Sequence, residues 1–425
     1  MCSIQDEEDT NYEKSETSGD NMFFLLCYSW AQATTFAITN TTLFPISSPP
    51  IENSTILIRN GKIENLGKDI VVPEDIEIVD GSGKFVMPGL IDVHSHMGVY
   101  PWPSTQAHSD GNEMSAPVTS RVKAEDSFRV QDPALSRARA GGITTIQVLP
   151  GSANLIGGET VTLKIRPART LKQMRFEEAP RGIKMACGEN PKRVYKNDED
   201  GPQTRMGNLA YMRKTFRNAQ DYQKQRLSSN PPPTNLNYET ILEVMNGNIR
   251  VHIHCYRHDD IEGIYRVMDE FDIQVTSFQH ALEAYKVRDL IIEHGTSIAT
   301  WPDWWGFKME AYDATPYNAT MFKNDGGVVA LHSDSANTIQ RMYTEAAKML
   351  RYGSTEEQVL EMITIDPAKM LGIEEYVGTL EVGKHADIAM FSKHPLDAYT
   401  LVERTWIDGT LVFDRTLEGT PNARP

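Results

Sequence analysis

Short runs in which apolar and polar residues alternate lie near both ends of the chain. At the N-terminal end they occupy residues 35–86, as in "TFAITNTTLFP" and "STILIRNGKIENLG". A period of two is typical of β-strands with one buried face, and the Asn-Gly pair between two such runs is a hairpin signal. Residues 374–425 repeat this texture in "GTLEVGKHADIAMF" and "ERTWIDGTLVFDR". Each stretch alone is too short to enclose a core, so we expect both ends to form one small β-sandwich.

Between these ends, over residues 87–373, short apolar segments alternate with longer segments of helical character. The apolar segments include "GGITTIQVLP", "NIRVHIHC", "DIQVTSFQH" and "GGVVALHSD", and "NLAYMRKTFRNAQDYQKQRL" is one of the helical segments. Strands that alternate with helices indicate βα units and a parallel sheet, and the length of this region suits eight such units. The predicted fold class is therefore α/β, a TIM-like (β/α)8 barrel with the β-sandwich attached.

The first 34 residues differ from both regions. Residues 1–21 are acidic and polar, with "DEED", which is typical of a disordered tail. The segment "MFFLLCYSWAQA" at 22–33 resembles a signal peptide, but it is too short to span a bilayer, and acidic residues precede it in place of the positive region of a signal peptide. We therefore expect no stable membrane span. For localisation, the cytoplasm is favoured over secretion, which would require translation to start at Met22.

Charge and cysteine content narrow the function further. The chain has 42 Lys and Arg against 58 Asp and Glu, a net charge of −16, which disfavours nucleic acid and anionic membranes as partners. A small-molecule substrate is the expected partner, and a homo-oligomer is compatible with the composition. The four cysteines are widely spaced and contain no CxxC, which indicates neither a disulfide scaffold nor a cysteine zinc site. We expect free thiols at Cys2, Cys27, Cys187 and Cys255.

Residues of metal-ligand type stand where the predicted barrel strands end. In "IDVHSH" two histidines are two positions apart, so His94 and His96 project from the same face of a strand. His254, His280 and Asp334 lie near the ends of three later strands. The carboxyl ends of barrel strands converge on one mouth, so these five side chains predict a common metal site.

These segments resemble the metal-dependent amidohydrolase superfamily. "VMPGLIDVHSH" is similar to its first-strand signature, and "VHIHCYRHDDI", "FQHALEAYK" and "ALHSDS" are similar to its fifth-, sixth- and eighth-strand elements. "VGTLEVGKHADIAMF" is similar to the segment by which the chain leaves the barrel for the small β-domain. The resemblance implies that His94 and His96 bind the first metal, that His254 and His280 are further ligands, and that Asp334 contacts the metal and carries the proton.

The segment "GIKMACGENPKRVY" offers two candidates for the middle-strand ligand. Many members of the superfamily carry a carboxylated lysine that bridges two metals, which would be Lys184. The N-acetylglucosamine-6-phosphate deacetylase branch uses a glutamate, which would be Glu189, and "ENP" is similar to its Glu-Gly-Pro. The pattern as a whole is similar to that branch and to imidazolonepropionases. We favour Glu189 as a metal ligand because a glutamate binds metal without modification, and Lys184 is the alternative.

The resemblance implies a divalent metal as cofactor, with Zn²⁺ favoured and one or two ions per chain. Held by imidazoles and a carboxylate with one open position, Zn²⁺ lowers the pKa of its water to about 7. Asp334 would then act as general base and general acid, and His280 or His332 would stabilise charge on the substrate carbonyl oxygen. His332 and His252 are alternatively residues of the barrel's interior layers.

Two features bear on substrate contacts. Arg257, in "HCYR", is a candidate for bidentate binding of a substrate carboxylate. Trp301, Trp304 and Trp305, in "TWPDWWGFK", follow the seventh predicted strand, where indole rings would line an apolar pocket or pack beneath the loop.

The predicted function is hydrolysis of a non-peptide C–N bond, in an amide, a cyclic amide or an N-acyl group, by a metal-activated hydroxide with Asp334 as proton carrier. The same site would also support dipeptidase-like or lactonase activity. A non-catalytic scaffold with an amidohydrolase fold is the alternative from a different class. Retention of every predicted ligand position argues against the scaffold.

Overall fold

The computed structural model of the chain describes residues 35–417, so the predicted disordered tail and signal-like segment at 1–34 lie outside it. The strands are β1 (Phe36–Leu43), β2 (Ile51–Arg59), β3 (Lys62–Gly67), β4 (Glu77–Asp80), β5 (Phe85–Pro88), β6 (Leu90–Ser95), β7 (Ile143–Val148), β8 (Ile156–Lys164), β9 (Gly182–Ala186), β10 (Arg250–Cys255), β11 (Val275–His280), β12 (Ser297–Thr300), β13 (Val329–Leu331), β14 (Ile388–Phe391), β15 (Val402–Ile407) and β16 (Thr410–Asp414).

The α-helices are α1 (Pro133–Ala140), α2 (Glu189–Val194), α3 (Arg205–Arg226), α4 (Leu236–Met245), α5 (His258–Asp269), α6 (Arg288–Glu293), α7 (Asn318–Asn324), α8 (Met342–Ala347), α9 (Glu356–Glu361) and α10 (Ile365–Leu371). Short 3₁₀ helices lie at Gln106–His108, Ala124–Ser127, Leu171–Gln173, Ala284–Lys286, Met309–Ala311, Ile339–Arg341, Lys348–Tyr352 and Arg415–Leu417. No helix within residues 35–417 is long and apolar enough to cross a membrane.

Strands from both ends of the chain form one of the two sheets. Its order is β16-β15-β14-β5-β1-β2-β3, with β4 paired to β1. β14 pairs antiparallel with β5, so backbone hydrogen bonds join the two ends directly. Asn60 and Gly61 form the turn between β2 and β3 with φ of 51° and 78°, as the Asn-Gly pair predicts. Both chain ends therefore associate as expected, but among the described residues their strands form one hydrogen-bonded sheet and not the two facing sheets of the predicted β-sandwich.

The second sheet holds the middle of the chain in the order β13-β12-β11-β10-β9-β8-β7-β6 and is nearly closed. Helix α5 connects β10 to β11, α6 connects β11 to β12, and α7 connects β12 to β13. Each of these three strand pairs is parallel. The carboxyl ends of these strands therefore lie at the same mouth of the barrel, as the alternating pattern predicts.

The strict alternation of strands and helices is not observed around β8. β8 is antiparallel to both β7 and β9. The connection at 149–155 is too short for a crossover, because parallel neighbours need a dozen or more linking residues. The connection from β8 to β9 contains the 3₁₀ helix Leu171–Gln173 and no α-helix. The expected (β/α)8 pattern is corrected here to a mixed barrel with an antiparallel segment.

Asp132 fixes the loop that follows β6. It is the N-cap of α1, where its carboxylate accepts a hydrogen bond from Ala134 N at 2.9 Å and Pro133 occupies the first helical position. The same carboxylate accepts hydrogen bonds from Gly98 N at 2.9 Å and Trp102 N at 3.0 Å. One helix cap therefore also positions the chain just beyond His96.

The expectation of free thiols is wrong for two of the four cysteines. Cys187 directly follows β9 and Cys255 ends β10, and a disulfide joins them with their Cα atoms 5.3 Å apart. The two strands are parallel neighbours, and Cys187 N donates to His254 O at 2.8 Å. A separation of 68 residues hides this proximity in the sequence. Cys2 and Cys27 lie outside the described residues.

Candidate metal centre

The structure brings five of the predicted site residues together at the barrel mouth. His94, His280 and Asp334 offer ligand atoms that all lie within 4.8 Å of one another. His96 Nε2 is 3.4 Å from Asp334 Oδ1. The ring centroids of His254 and His280 are 4.8 Å apart. Side chains from four strands therefore surround one small volume.

Hydrogen bonds select the imidazole nitrogen atoms that face this volume. His94 Nδ1 donates to Gln279 Oε1 at 2.8 Å, and His96 Nδ1 donates to Leu149 O at 2.8 Å. In both rings the lone pair is then on Nε2. His94 Nε2 and His254 Nδ1 are buried and have no hydrogen-bond partner among the described residues. Buried polar atoms are rarely unpaired, so His94 Nε2, which carries a lone pair, fits a bound cation.

Asp92 aligns the ends of the first and last barrel strands. Its Oδ1 accepts hydrogen bonds from His94 N at 3.1 Å and Ser333 N at 3.3 Å, and the Ser333 hydroxyl donates to Oδ2. Asp334 N donates to His94 O at 3.1 Å. Asp334 and His280 have φ of 47° and 71°, values that non-glycine residues seldom adopt and that cost about 1–3 kcal/mol each. The surrounding hydrogen bonds hold the backbone in this conformation.

Burial determines the protonation of the histidines. It lowers the pKa of His94, His254 and His280 well below the usual value. It lowers the pKa of His96 to about 3, with the positive charge of Lys184 acting in the same direction. The imidazoles are therefore neutral at pH 7, which is the form that binds metal ions.

Burial acts in the opposite sense on the carboxylate, because it disfavours the charged form of either group. It raises the pKa of Asp334 to about 7, while the charge of Lys184 opposes this shift. The side chain of Asp334 keeps 24% of its surface exposed. The carboxylate is thus the member of the centre that is both titratable near neutrality and open to the mouth.

The two middle-strand candidates have different places. Lys184, in β9, is 1% exposed, and its Nζ donates to Pro150 O at 3.2 Å. Its charge acts on His94, His96 and Asp334.

Glu189 is the first residue of α2, and its Oε1 is 3.0 Å from Lys308 Nζ. Among the described residues, the ligand atoms within 4.8 Å of one another belong to His94, His280 and Asp334, so Glu189 is outside this group, as are His96 and His254. The choice of Glu189 over Lys184 as the middle-strand ligand stays a prediction.

The three remaining candidates have different places. His332 Nε2 is 3.2 Å from His280 Nδ1, so His332 adjoins the group. His252 bonds instead to Gln147 and Ser277 inside the barrel, as expected of an interior-layer residue.

Arg257 lines a cavity of about 690 Å³ together with other charged residues that include Glu189, Glu283 and Lys286. Its Nε is 2.9 Å from Asp259 Oδ1, so its guanidinium already has an acidic partner. The substrate role predicted for Arg257 stays a prediction.

Sequence reasoning missed Asp92 and Gln279. Both are fully buried polar residues in barrel strands, one or two positions from a site histidine. That signal was present in "LIDVH" and "FQH", because a buried polar residue needs a partner. The identity of that partner depends on strands distant in sequence.

Comparison with known proteins adds the family. A model of the amidohydrolase family matches residues 85–416, which is most of the chain. The chain belongs to the amidohydrolase family. Amidohydrolase tasK of Hapsidospora irregularis is 31% identical to this chain over an alignment of 389 residues, which covers 84% of this chain. The chain spans only 40% of the length of that relative.

Two further proteins are similar over almost their whole length. Imidazolonepropionase of Thermoplasma volcanium is 26% identical over an alignment of 401 residues, which covers 86% of this chain and 92% of that protein. The crystal structure of an amidohydrolase from Thermotoga maritima MSB8 superimposes with a TM-score of 0.84 at 38% identity. The superposition covers 89% of this chain and 100% of the Thermotoga maritima chain. These relatives support a hydrolase that acts on C–N bonds, in a family that typically binds a divalent metal.

Proposed function

We propose that this amidohydrolase uses a divalent metal to hydrolyse a non-peptide C–N bond in an amide, a cyclic amide or an N-acyl group. The observation that carries the proposal is the convergence of His94, His280 and Asp334, whose ligand atoms lie within 4.8 Å of one another at the barrel mouth. The similarity to a protein named imidazolonepropionase over 86% of the chain supports the choice of a non-peptide bond.

His94, His96, His254, His280 and Asp334 would hold the metal, and Zn²⁺ suits this mixture of imidazole and carboxylate donors. When bound, the ion supplies Lewis acidity that activates water and polarises the substrate carbonyl. The protein contributes the rest by fixing the donor atoms, as the hydrogen bonds from His94 Nδ1 and His96 Nδ1 do.

Asp334 moves the proton in this proposal. Its Oδ1 lies 3.4 Å from His96 Nε2 and 3.7 Å from His94 Nε2, so the carboxylate sits beside the donor atoms. The carboxylate accepts a proton from the attacking water and passes it to the leaving nitrogen. His332, whose Nε2 is 3.2 Å from His280 Nδ1, is the candidate to assist at the carbonyl oxygen.

The test is Asp334→Asn, assayed on a panel of N-acyl amino acids, cyclic amides, dipeptides and lactones. Asparagine keeps the shape of the side chain but cannot accept the proton, so we expect kcat to fall by about 10²–10⁴-fold while most bound metal remains. Bound metal is counted by mass spectrometry of the purified protein. Asp221→Asn, on the surface of α3 with 54% of its side chain exposed, is the matched control.

Three outcomes would contradict the proposal. Activity of Asp334→Asn within about tenfold of the wild type would remove Asp334 as the proton carrier and make His332 the next residue to test. Turnover confined to dipeptides or lactones would reassign the bond that is cleaved. Wild-type protein with neither metal nor activity would favour a scaffold.

A further inference from the structure

A stack of aromatic rings runs outward from the metal centre. The Trp301 ring lies parallel to His280, with centroids 4.4 Å apart and planes at 15°. The Trp304 ring lies parallel to Trp301 at 5.2 Å and 9°. Phe307 meets Trp301 edge to face, at 5.7 Å and 88°. We call Trp304 and Phe307 the aromatic shelf. Only the Trp301 ring separates the shelf from His280, a proposed metal ligand.

The inner part of this stack is fixed and the outer part is open. Trp301 is only 5% exposed, and its Nε1 donates to Ser333 O at 3.3 Å, directly before Asp334. Trp304 and Phe307 are 39% and 51% exposed. A large aromatic ring left in water gains free energy when an apolar group covers it. The shelf thus offers apolar surface next to the site where the C–N bond would react.

Tyr256 and Lys308 support the aromatic shelf through ring contacts, a cation–π contact and an ion pair. Tyr256 stacks on His280 at 5.2 Å, and Phe307 meets Tyr256 edge to face at 6.1 Å. Lys308 Nζ lies 4.1 Å from the centre of the Tyr256 ring and 3.0 Å from Glu189 Oε1. These contacts anchor the loop directly after Phe307, which presents a preformed surface.

We propose that the substrate carries an aromatic or other planar apolar group that packs on the aromatic shelf while its C–N bond lies at the metal centre. This inference rests on the proposed function and narrows its substrate class to aryl-bearing amides. Trp304 presents an indole face and Phe307 a nearly perpendicular ring, which together favour a planar group by stacking and edge contacts. Trp304 and Phe307 are then specificity-determining residues.

The neighbouring Trp305 supplies a matched control. It lies in the same loop and is 64% exposed, and in the described part of the chain it makes no ring contact. Replacing it removes the same indole from the same loop without touching the stack.

The experiment compares N-phenylacetylglycine with N-acetylglycine, which differ only by the phenyl ring. Equilibrium binding of each compound is measured on the full-length Asp334→Asn protein, and kcat/KM is measured on otherwise wild-type protein. We expect Trp304→Ala and Phe307→Ala each to weaken binding and kcat/KM for the phenyl compound by about 2- to 10-fold. Values for the acetyl compound should not change. Trp304→Phe should restore most of the loss, and Trp305→Ala should match the wild type.

The binding and kcat/KM measurements distinguish failure of the aromatic shelf proposal from failure of the proposed function. The protein could hydrolyse amides without preferring the phenyl compound, while Trp304→Ala has no effect on binding of that compound. This result would contradict the substrate role of the aromatic shelf and would leave the proposed function unchanged. Loss of phenyl-specific binding in Trp304→Ala, in a protein that hydrolyses no amide, would support the shelf and overturn the function. Trp304→Ala or Phe307→Ala could instead change the sedimentation coefficient of the protein without changing its binding of the phenyl compound. That result would show that the aromatic shelf mediates contact between copies of the chain, and it would contradict this proposal.

Discussion

Lys184 and Glu189 show how much the centre depends on single residues. Lys184 is buried in β9 and acts electrostatically on the histidines and on Asp334. Glu189 lies on α2 against Lys308, with 30% of its side chain exposed. Both residues stay candidates for the middle-strand ligand, and Lys184 would need carboxylation to serve as one.

Metal content distinguishes these two residues. We expect Lys184→Met to weaken metal affinity by at least about 10-fold, the loss typical even for residues that only support a ligand. Glu189→Gln should keep the metal, because its carboxylate already pairs with Lys308 at 3.0 Å. Both are measured by titration of the metal-free protein with Zn²⁺. His94→Ala combined with His96→Ala is the control for lost binding. Metal retention by Lys184→Met together with metal loss by Glu189→Gln would support Glu189 as the ligand, as the sequence predicts.

At the scale of elements, the neighbouring strands β9 and β10 end beside the metal centre. Cys187 and Cys255 join these ends covalently, and both side chains are buried. His254 lies directly before Cys255, and α2 begins two residues after Cys187. The cross-link therefore ties one proposed ligand to the start of the helix that carries Glu189.

Thiol chemistry tests this link between elements. In denaturant without reductant, we expect Cys187 and Cys255 to resist alkylation and to appear in one cross-linked peptide pair by mass spectrometry. After reduction both should react. In Cys255→Ala, Cys187 should react without reduction. Alkylation of both residues in unreduced wild-type protein would contradict the disulfide.

At the scale of the whole molecule, a buried ionic cluster joins the barrel to the sheet built from the chain ends. Lys164, at the end of β8, is 1% exposed, and its Nζ donates to Asp387 Oδ1 at 3.0 Å and to Asp408. Asp387 precedes β14, and Asp408 lies in the turn between β15 and β16. Arg166 also pairs with Asp408. One lysine therefore compensates charge on two loops of the other sheet.

Lys164→Met tests the contribution of this cluster to stability. Removing one partner leaves Asp387 buried without its cation, so we expect the free energy of unfolding to fall by about 3–5 kcal/mol. The measurement is denaturant unfolding followed by circular dichroism. The control is Lys123→Met, which removes an ion pair at the surface. The Lys123 side chain is 44% exposed, and its Nζ is 3.9 Å from Glu159 Oε1. We expect this variant to lower the free energy of unfolding by at most about 1 kcal/mol. Equal loss in the two variants would show that the cluster does not hold the sheets together.

The sequence by itself determined the features that depend on a few consecutive residues. Strand alternation and the Asn60-Gly61 turn predict the sheet at the chain ends, because side-chain period and turn conformation are local properties. The positions of His94 and Asp334 at strand ends were also readable, since a change from apolar to polar residues marks where a strand leaves the core.

Only the tertiary structure decided what depends on neighbours in space. The antiparallel direction of β8, the pairing of Cys187 with Cys255 and the hydrogen bond from His94 to Gln279 each join segments by strand order and register. The choice between Lys184 and Glu189 also depends on neighbours in space, because both residues have suitable chemistry and Glu189 pairs with Lys308 in the folded chain. Local patterns encode conformation, whereas these choices follow from long-range packing, which fixes which side chains share a small volume.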